Sequence, residues 1–161
     1  DMMILRDLDA FFEYERPFVT TDMGPNWGRA IGTARPEPGT CLFAFDLGRE
    51  VQILDRFAGD VDRWVRDYNY EQQVIGFHAS HMDYWPEGWV ISFKRHLRQP
   101  VGLDLVLPPR APGPEAKVLA FHGNPRPLDL ARPGIWGRSP HLGRGPVEWM
   151  RDYWLANGGR I

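Results

Sequence analysis

Apolar positions in this chain come in short blocks whose spacing alternates between that of a strand and that of a helix. Residues 2–5 are apolar without alternation and read as a buried strand. Asp7, Leu8 and Asp9 open a short helix through Phe12, with carboxylates at its positive end. Residues 18–21 read as a second strand. Residues 24–39, with Pro25, Gly28, Gly32, Pro36, Pro38 and a central Trp27, read as a loop. Residues 40–45 are a stronger strand. The period then lengthens: Val51, Leu54 and Phe57 share one helical face, residues 62–70 extend the helical region around Trp64 and Val65, and residues 71–75 start another short helix.

The second half repeats the alternation. Residues 89–93 form a strand that runs into the basic cluster Lys94, Arg95, His96 and Arg98. A proline-rich connection with an apolar middle, Leu103 to Leu107, fills residues 100–114. Residues 118–121 are a short strand of Val, Leu, Ala and Phe. It hands over at once to Gly123-Asn124-Pro125-Arg126-Pro127, whose prolines lack the N–H that a ladder needs. Pro146 then starts a final amphipathic helix over residues 147–156, ending at Gly158-Gly159. Trp149, Met150, Tyr153 and Trp154 fall on or near one face of it, as core residues do. Strands alternating with short helices predict an α/β fold in one domain, residues 1–161.

Composition narrows the function classes. The chain has 161 residues, 43% of them hydrophobic, enough for a core of its own. Its 19 Lys+Arg against 21 Asp+Glu give a net charge of -2, with no basic field for nucleic acid and no polybasic tail for a membrane surface. Cys41 is the single cysteine, so no intrachain disulfide and no cysteine-built zinc site can form. A reducing, cytoplasmic setting is the default, without an integral membrane segment. Residues 2–5 already look like a core strand at the start of the chain, so an N-terminal part with further strands is expected to precede Asp1.

The residues at the late strand carry the candidate chemistry. His122 stands where a strand becomes a loop, a common place for ligand contacts. Gly123 lets a backbone amide approach a ligand, and Arg126 supplies a planar cation suited to phosphate. A divalent metal with a diphosphate accounts for all three. A strand-end histidine in a proline-rich turn beside a solvated arginine accounts for them too.

Several blocks, in order, resemble a family. Asp1-Met2-Met3-Ile4-Leu5-Arg6-Asp7-Leu8-Asp9-Ala10-Phe11-Phe12 is similar to the segment that follows the Asp-X-Asp metal motif of GT-A-type glycosyltransferases, with Asp1 as its last aspartate. Gly39-Thr40-Cys41-Leu42-Phe43-Ala44-Phe45 resembles the family's small-residue strand before a helix ending near Asp55-Arg56-Phe57. Glu71-Gln72 stands where an Asp-Gln pair is usual, one methylene longer. Trp89-Val90-Ile91-Ser92-Phe93-Lys94-Arg95-His96 is similar to a strand ending in Ser-aromatic-Lys-X-His in bacterial and phage relatives. Phe121-His122-Gly123-Asn124-Pro125-Arg126-Pro127 looks like the family's His-Gly-X-Pro-(Arg/Lys)-Pro turn. Residues 24–38 match no part of the pattern.

The resemblance implies a partial GT-A fold, a mixed sheet flanked by short helices whose N-terminal nucleotide-binding strands are missing. It implies a glycosyltransferase that moves a sugar from a nucleotide-diphosphate donor to a glycan or other hydroxyl acceptor. Mn²⁺ or Mg²⁺ would assist departure of the diphosphate. Asp1 and His122 would be metal ligands. Gly123, Arg126, Lys94 and His96 would hold the diphosphate, and Glu71 and Gln72 would work near the reacting carbon. Two other readings stay open. A metal-dependent phosphoester or nucleotide-sugar hydrolase uses similar residues but needs more ligands. A non-catalytic carbohydrate-binding module could use the seven tryptophans, although most of these sit in apolar blocks. His78 and His81 have ligand spacing but read as surface or core histidines; nothing in the sequence points to His141. Cys41 reads as a small buried hydrophobe.

Overall fold

The computed structural model describes residues 1–22 and 38–161. Its elements, in chain order, are β1 (Met2–Ile4), α1 (Asp9–Glu13), β2 (Phe18–Asp22), β3 (Pro38–Phe45), α2 (Val51–Gly59), α3 (Val61–Asp67), α4 (Glu71–His78) and β4 (Asp83–Tyr84). There follow β5 (Val90–Ser92), β6 (Val118–Ala120), α5 (Pro127–Ala131), β7 (Gly134–Arg138), β8 (His141–Gly145) and α6 (Glu148–Ala156). The protein is mixed α/β, built from small sheets and short helices. It divides into two compact units, one of Asp1–Asp7 with Gly88–Ile161, the other of Leu8–Glu87.

The first unit is organised by β6. This strand lies between β1 and β5, antiparallel to the former and parallel to the latter. All three of its residues are buried, as expected for a central strand of Val, Leu and Ala. Leu119, Ile91 and Met3 join Phe93, Phe121, Leu130, Val147 and Met150 in one core. The α6 face foreseen from the helical period closes that core: Met150 is fully buried, and Trp149, Tyr153 and Trp154 pack against it. Tyr153 also donates its hydroxyl hydrogen to the Ile4 carbonyl.

β1 departs from expectation. It is not buried throughout, because only Met3 faces the core while Met2 and Ile4 remain 49% and 56% exposed. As an edge strand beside β6, it has one face covered. An unbroken apolar run does not reveal which residues will face out.

Two further features of this unit carry no periodic signal. The β7–β8 hairpin pairs Trp136 with Gly143. A side chain on Gly143 would have to enter the Trp136 ring, since its β-carbon would fall 2.1 Å from a ring carbon. The indole thus replaces the side chain that Gly143 lacks. In the proline-rich connection, the Arg98 Nε donates to Asp104 Oδ2 at 2.7 Å and the Gln99 N–H donates to Oδ1 at 2.9 Å. The ion pair is buried, 9% and 0% exposed at its two side chains.

The second unit holds the sheet β3–β2–β4, with β2 antiparallel to β3 and parallel to β4. β2 is buried along most of its length, and Thr20 satisfies its hydroxyl on the Gly39 carbonyl at 2.8 Å. Pro38 and Gly39, expected in a loop, begin β3; the rest of that expected loop lies outside the described residues. A proline fits at the first position of a strand. The α2 face of Val51, Leu54 and Phe57 has the expected spacing but stays largely exposed, and α2 buries no residue fully. Cys41 is half-buried rather than buried, with its thiol 3.7 Å from the Thr21 hydroxyl.

Two substitutions test this packing. Gly143→Ala is expected to cost about 1–3 kcal/mol by overpacking against Trp136. Asp104→Ala is expected to cost about 3–5 kcal/mol, because it leaves the Arg98 charge buried and uncompensated. Urea unfolding followed by tryptophan fluorescence measures both; wild-type midpoints would show these contacts to be energetically idle.

Candidate functional site

Strand direction assembles the candidate site. β5 and β6 are parallel, so the residues after each leave the sheet at the same edge. β1 is antiparallel to β6, so its beginning lies at that edge as well. The Phe121 N–H donates to the Asp1 carbonyl at 2.9 Å, fixing Asp1 next to the residue that precedes His122. Asp1, the cluster Lys94–Arg95 and the His122–Gly123 turn are thereby brought together within one unit.

Beyond β5 the chain makes a wide turn over Phe93–Leu97, closed by the Arg98 N–H on the Phe93 carbonyl at 3.2 Å. Phe93 and Leu97 go into the core and anchor it. Lys94, Arg95 and His96 lie between these two anchors. His96 folds back, its Nδ1 accepting the Ser92 N–H at 2.8 Å. Nδ1 also lies 3.2 Å from the Ser92 carbonyl oxygen, so both contacts tie the ring to its own turn.

Beyond β6, Gly123 adopts φ +68°, a conformation that favours glycine, and the Lys94 ammonium lies 3.8 Å from where a β-carbon of Gly123 would stand. Asn124–Pro125 is a cis peptide. Arg126 then caps α5, its N–H donating to Asp129 Oδ2 at 2.8 Å, and Pro127 takes the first helical position, where no N–H is needed. The Arg126 Nε stands 3.4 Å from an Asp1 carboxylate oxygen in an exposed pair.

His122 is half-buried. Its Nε2 is shielded from solvent and has no hydrogen-bond partner among the described residues. Burial lowers its pKa, and the charges of Arg95 and Lys94 lower it further. The imidazole is therefore held neutral, with a lone pair available to a cation. Burial, then the charge of Arg98, also pulls Lys94 below the usual lysine value. Excess positive charge around a neutral, unpartnered imidazole is an arrangement that an anion relieves.

Asp1, Lys94, His122, Gly123 and Arg126 thus gather at one edge, with His96 on the same turn but engaged with Ser92. Glu71 and Gln72 belong to the other unit, at the first turn of α4, where the Glu71 carboxylate accepts the Thr40 hydroxyl at 2.9 Å. His78 is a packing residue there: it stacks on Trp64 at 4.5 Å, and its Nε2 lies 2.7 Å from the Tyr68 hydroxyl. His141 opens β8. Arg95, named in the sequence only as part of the basic cluster after residue 93, exerts the largest charge effect on His122. No signal in the sequence marked it.

Among the described residues no group of three or more His, Cys, Asp and Glu side chains is placed to hold a metal ion. Among the described residues no helix is long and apolar enough to cross a membrane. Comparison of the chain with protein-family models, with curated proteins and with solved structures finds no match.

Proposed function

We propose that this chain carries the diphosphate-binding edge of a GT-A-type glycosyltransferase, which moves a sugar from a nucleotide-diphosphate donor to a hydroxyl acceptor. The observation that carries this reading is the convergence of the Asp1 carboxylate, the neutral His122, the Gly123 turn and the cations Lys94 and Arg126 at one sheet edge. Breaking the bond between the sugar and the diphosphate places new negative charge on the departing oxygen. Donors fixed in advance stabilise that charge without reorganising during the reaction. Arg126 offers a fork for two oxygens, Lys94 a compact charge, and Gly123 a close backbone.

Mn²⁺ or Mg²⁺ would draw chiefly on the Asp1 carboxylate, the oxygen donor such ions favour, with the His122 imidazole as a weaker second donor. Asp1 and His122 would hold it, and it would supply Lewis acidity to the diphosphate. For Asp1 to serve, its exposed pair with Arg126 has to open. Such a pair is worth no more than about 1 kcal/mol. Arg126 is then released to the diphosphate. The hydrolase reading draws on the same edge, but a two-metal site takes more ligands than the two this edge supplies.

The test is calorimetric titration of the protein with a nucleoside diphosphate, with and without Mn²⁺. Metal-dependent binding is expected, weakened roughly ten-fold or more in His122→Ala and Arg126→Gln, since hydrogen bonds to charged groups contribute about 1.5–3 kcal/mol. Unchanged binding in both variants would remove the edge from consideration. Sugar released to water at the same rate with and without an acceptor would favour the hydrolase instead.

Binding should also depend on pH through His122. Its folded pKa lies below the ordinary histidine value, so the neutral ring persists on mild acidification. Mn²⁺-dependent binding is expected to hold at pH 6.5 and to fall only at lower pH, as the ring takes up a proton and competes with the cation (histidine's ordinary pKa is about 6.5). The same lowered pKa makes the unfolded state bind more protons in that window, so stability also falls with pH there. NMR titration of the His122 ring checks the sign, and a midpoint above the ordinary value would contradict it.

A further inference from the structure

Within the first unit, residues 97–110 close on themselves into a compact loop. The Arg110 N–H donates to the Leu97 carbonyl at 2.7 Å, which brings the two ends together, and the Trp149 indole N–H holds the Pro109 carbonyl at 3.3 Å. Inside the loop, Asp104 accepts from Arg98 and from the Gln99 N–H, and the Gln99 side-chain amide donates to the Pro108 carbonyl at 2.9 Å. At the tip, Gly102 takes φ +86° and the Leu107 N–H returns to the Leu103 carbonyl at 2.8 Å. Surface loops of this size that are packed by their own groups are frequently functional.

This loop is inside out. Its one carboxylate, Asp104, is 1% exposed, while Val101, Leu103, Val106 and Leu107 are 59%, 42%, 76% and 50% exposed. A lone apolar residue on a surface needs no explanation, but four on one internally bonded tip form a patch of the kind that a partner covers. The hydrogen bonds hold the patch in place beforehand, so docking costs little ordering.

Charge indicates what covers it. The net charge of -2 hides an uneven distribution: the first unit has 12 Lys+Arg against 7 Asp+Glu, the second 7 against 14. The loop ends in the exposed Arg110. Its helical turn Leu103–Leu105 lies against β8, and the β7–β8 hairpin adds exposed Arg138 and Arg144, with no carboxylate in the sequence between Asp129 and Glu148. An apolar tip beside cations matches an anionic lipid surface, where apolar side chains enter the acyl boundary and guanidinium groups meet phosphates. A second copy docked face to face would instead set like charge against like.

We propose that the loop of residues 97–110 docks this protein peripherally on an anionic lipid bilayer. Val101, Leu103, Val106 and Leu107 enter the membrane surface, and Arg110, Arg138 and Arg144 meet the headgroups. The proposal does not rest on the transferase reading.

The test is sedimentation of the full chain with vesicles of phosphatidylcholine alone and of phosphatidylcholine mixed with phosphatidylglycerol. Saturable binding to the mixed vesicles is expected, with far weaker binding to the neutral ones and release by added sodium chloride. The double variant Val106→Ser/Leu107→Ser, at two exposed positions, should keep the wild-type urea midpoint and bind the mixed vesicles about ten-fold more weakly. Arg110→Gln and Arg144→Gln should each weaken binding about five-fold. The proposal is overturned if the wild type ignores the mixed vesicles, if it binds neutral vesicles equally, or if the double variant binds as the wild type does. A dimer seen by light scattering and dissolved by the double variant would also overturn it, assigning the patch to a second copy.

Discussion

The backbone ladder of β6 is the constraint from which the rest of the first unit follows. A strand with a partner on each side spends its N–H and C=O groups on both neighbours, and its buried side chains fix the register on both. Register and direction together decide what stands at the edge. A parallel β5 brings the end of one strand beside the end of another, and an antiparallel β1 brings a beginning there. Reversing either partner would send Asp1 or Lys94 to the far side of the sheet with no change in sequence. The site is thus a consequence of topology, although its chemistry belongs to side chains far apart in the chain.

That edge is under electrostatic tension. Arg95 and Lys94 act on His122, and one exposed carboxylate, Asp1, is paired with Arg126. Like charges near a half-buried ring disfavour its protonated form, and the ring answers by staying neutral. Partial desolvation, then the charge of Arg98, lowers the pKa of the exposed Lys94 as well. Such perturbations are associated with functional sites because a folded protein without a ligand gains little from them. The buried Arg98–Asp104 pair is the contrasting case. There the charges are matched, the carboxylate also accepts a backbone N–H, and the arrangement holds the proline-rich connection against the core.

Much of this was legible in the residues. The strands at residues 2–4, 90–92 and 118–120 and the α6 helix carry strong apolar or periodic signals, and they form with boundaries close to those expected. The His122 turn was legible because glycine and proline restrict the backbone locally. The β7–β8 hairpin was not, since Gly134, Gly137, Gly143 and Gly145 break any alternation, and its stabilising contact, an indole lying on a glycine, exists only once the two strands pair. The same holds for Arg98 and Asp104: two charges six residues apart in a proline-rich stretch do not announce a buried pair. The exposed α2 face shows the converse, where a helical period was read correctly and the burial it implied did not follow.

The position of Trp136 connects these levels. Its ring fills the space above Gly143, meets Phe93 edge-on at 6.0 Å and lies beneath the Arg98 guanidinium. Phe93 begins the turn that presents Lys94 and Arg95 to the edge, and Arg98 ends it. One indole therefore braces the hairpin, the root of the cationic turn and the buried ion pair. Coupling through such packed contacts requires an element with two arrangements. The wide turn over Phe93–Leu97 is the element on which to look for it, because its two ends are anchored in the core while Lys94, between them, is exposed.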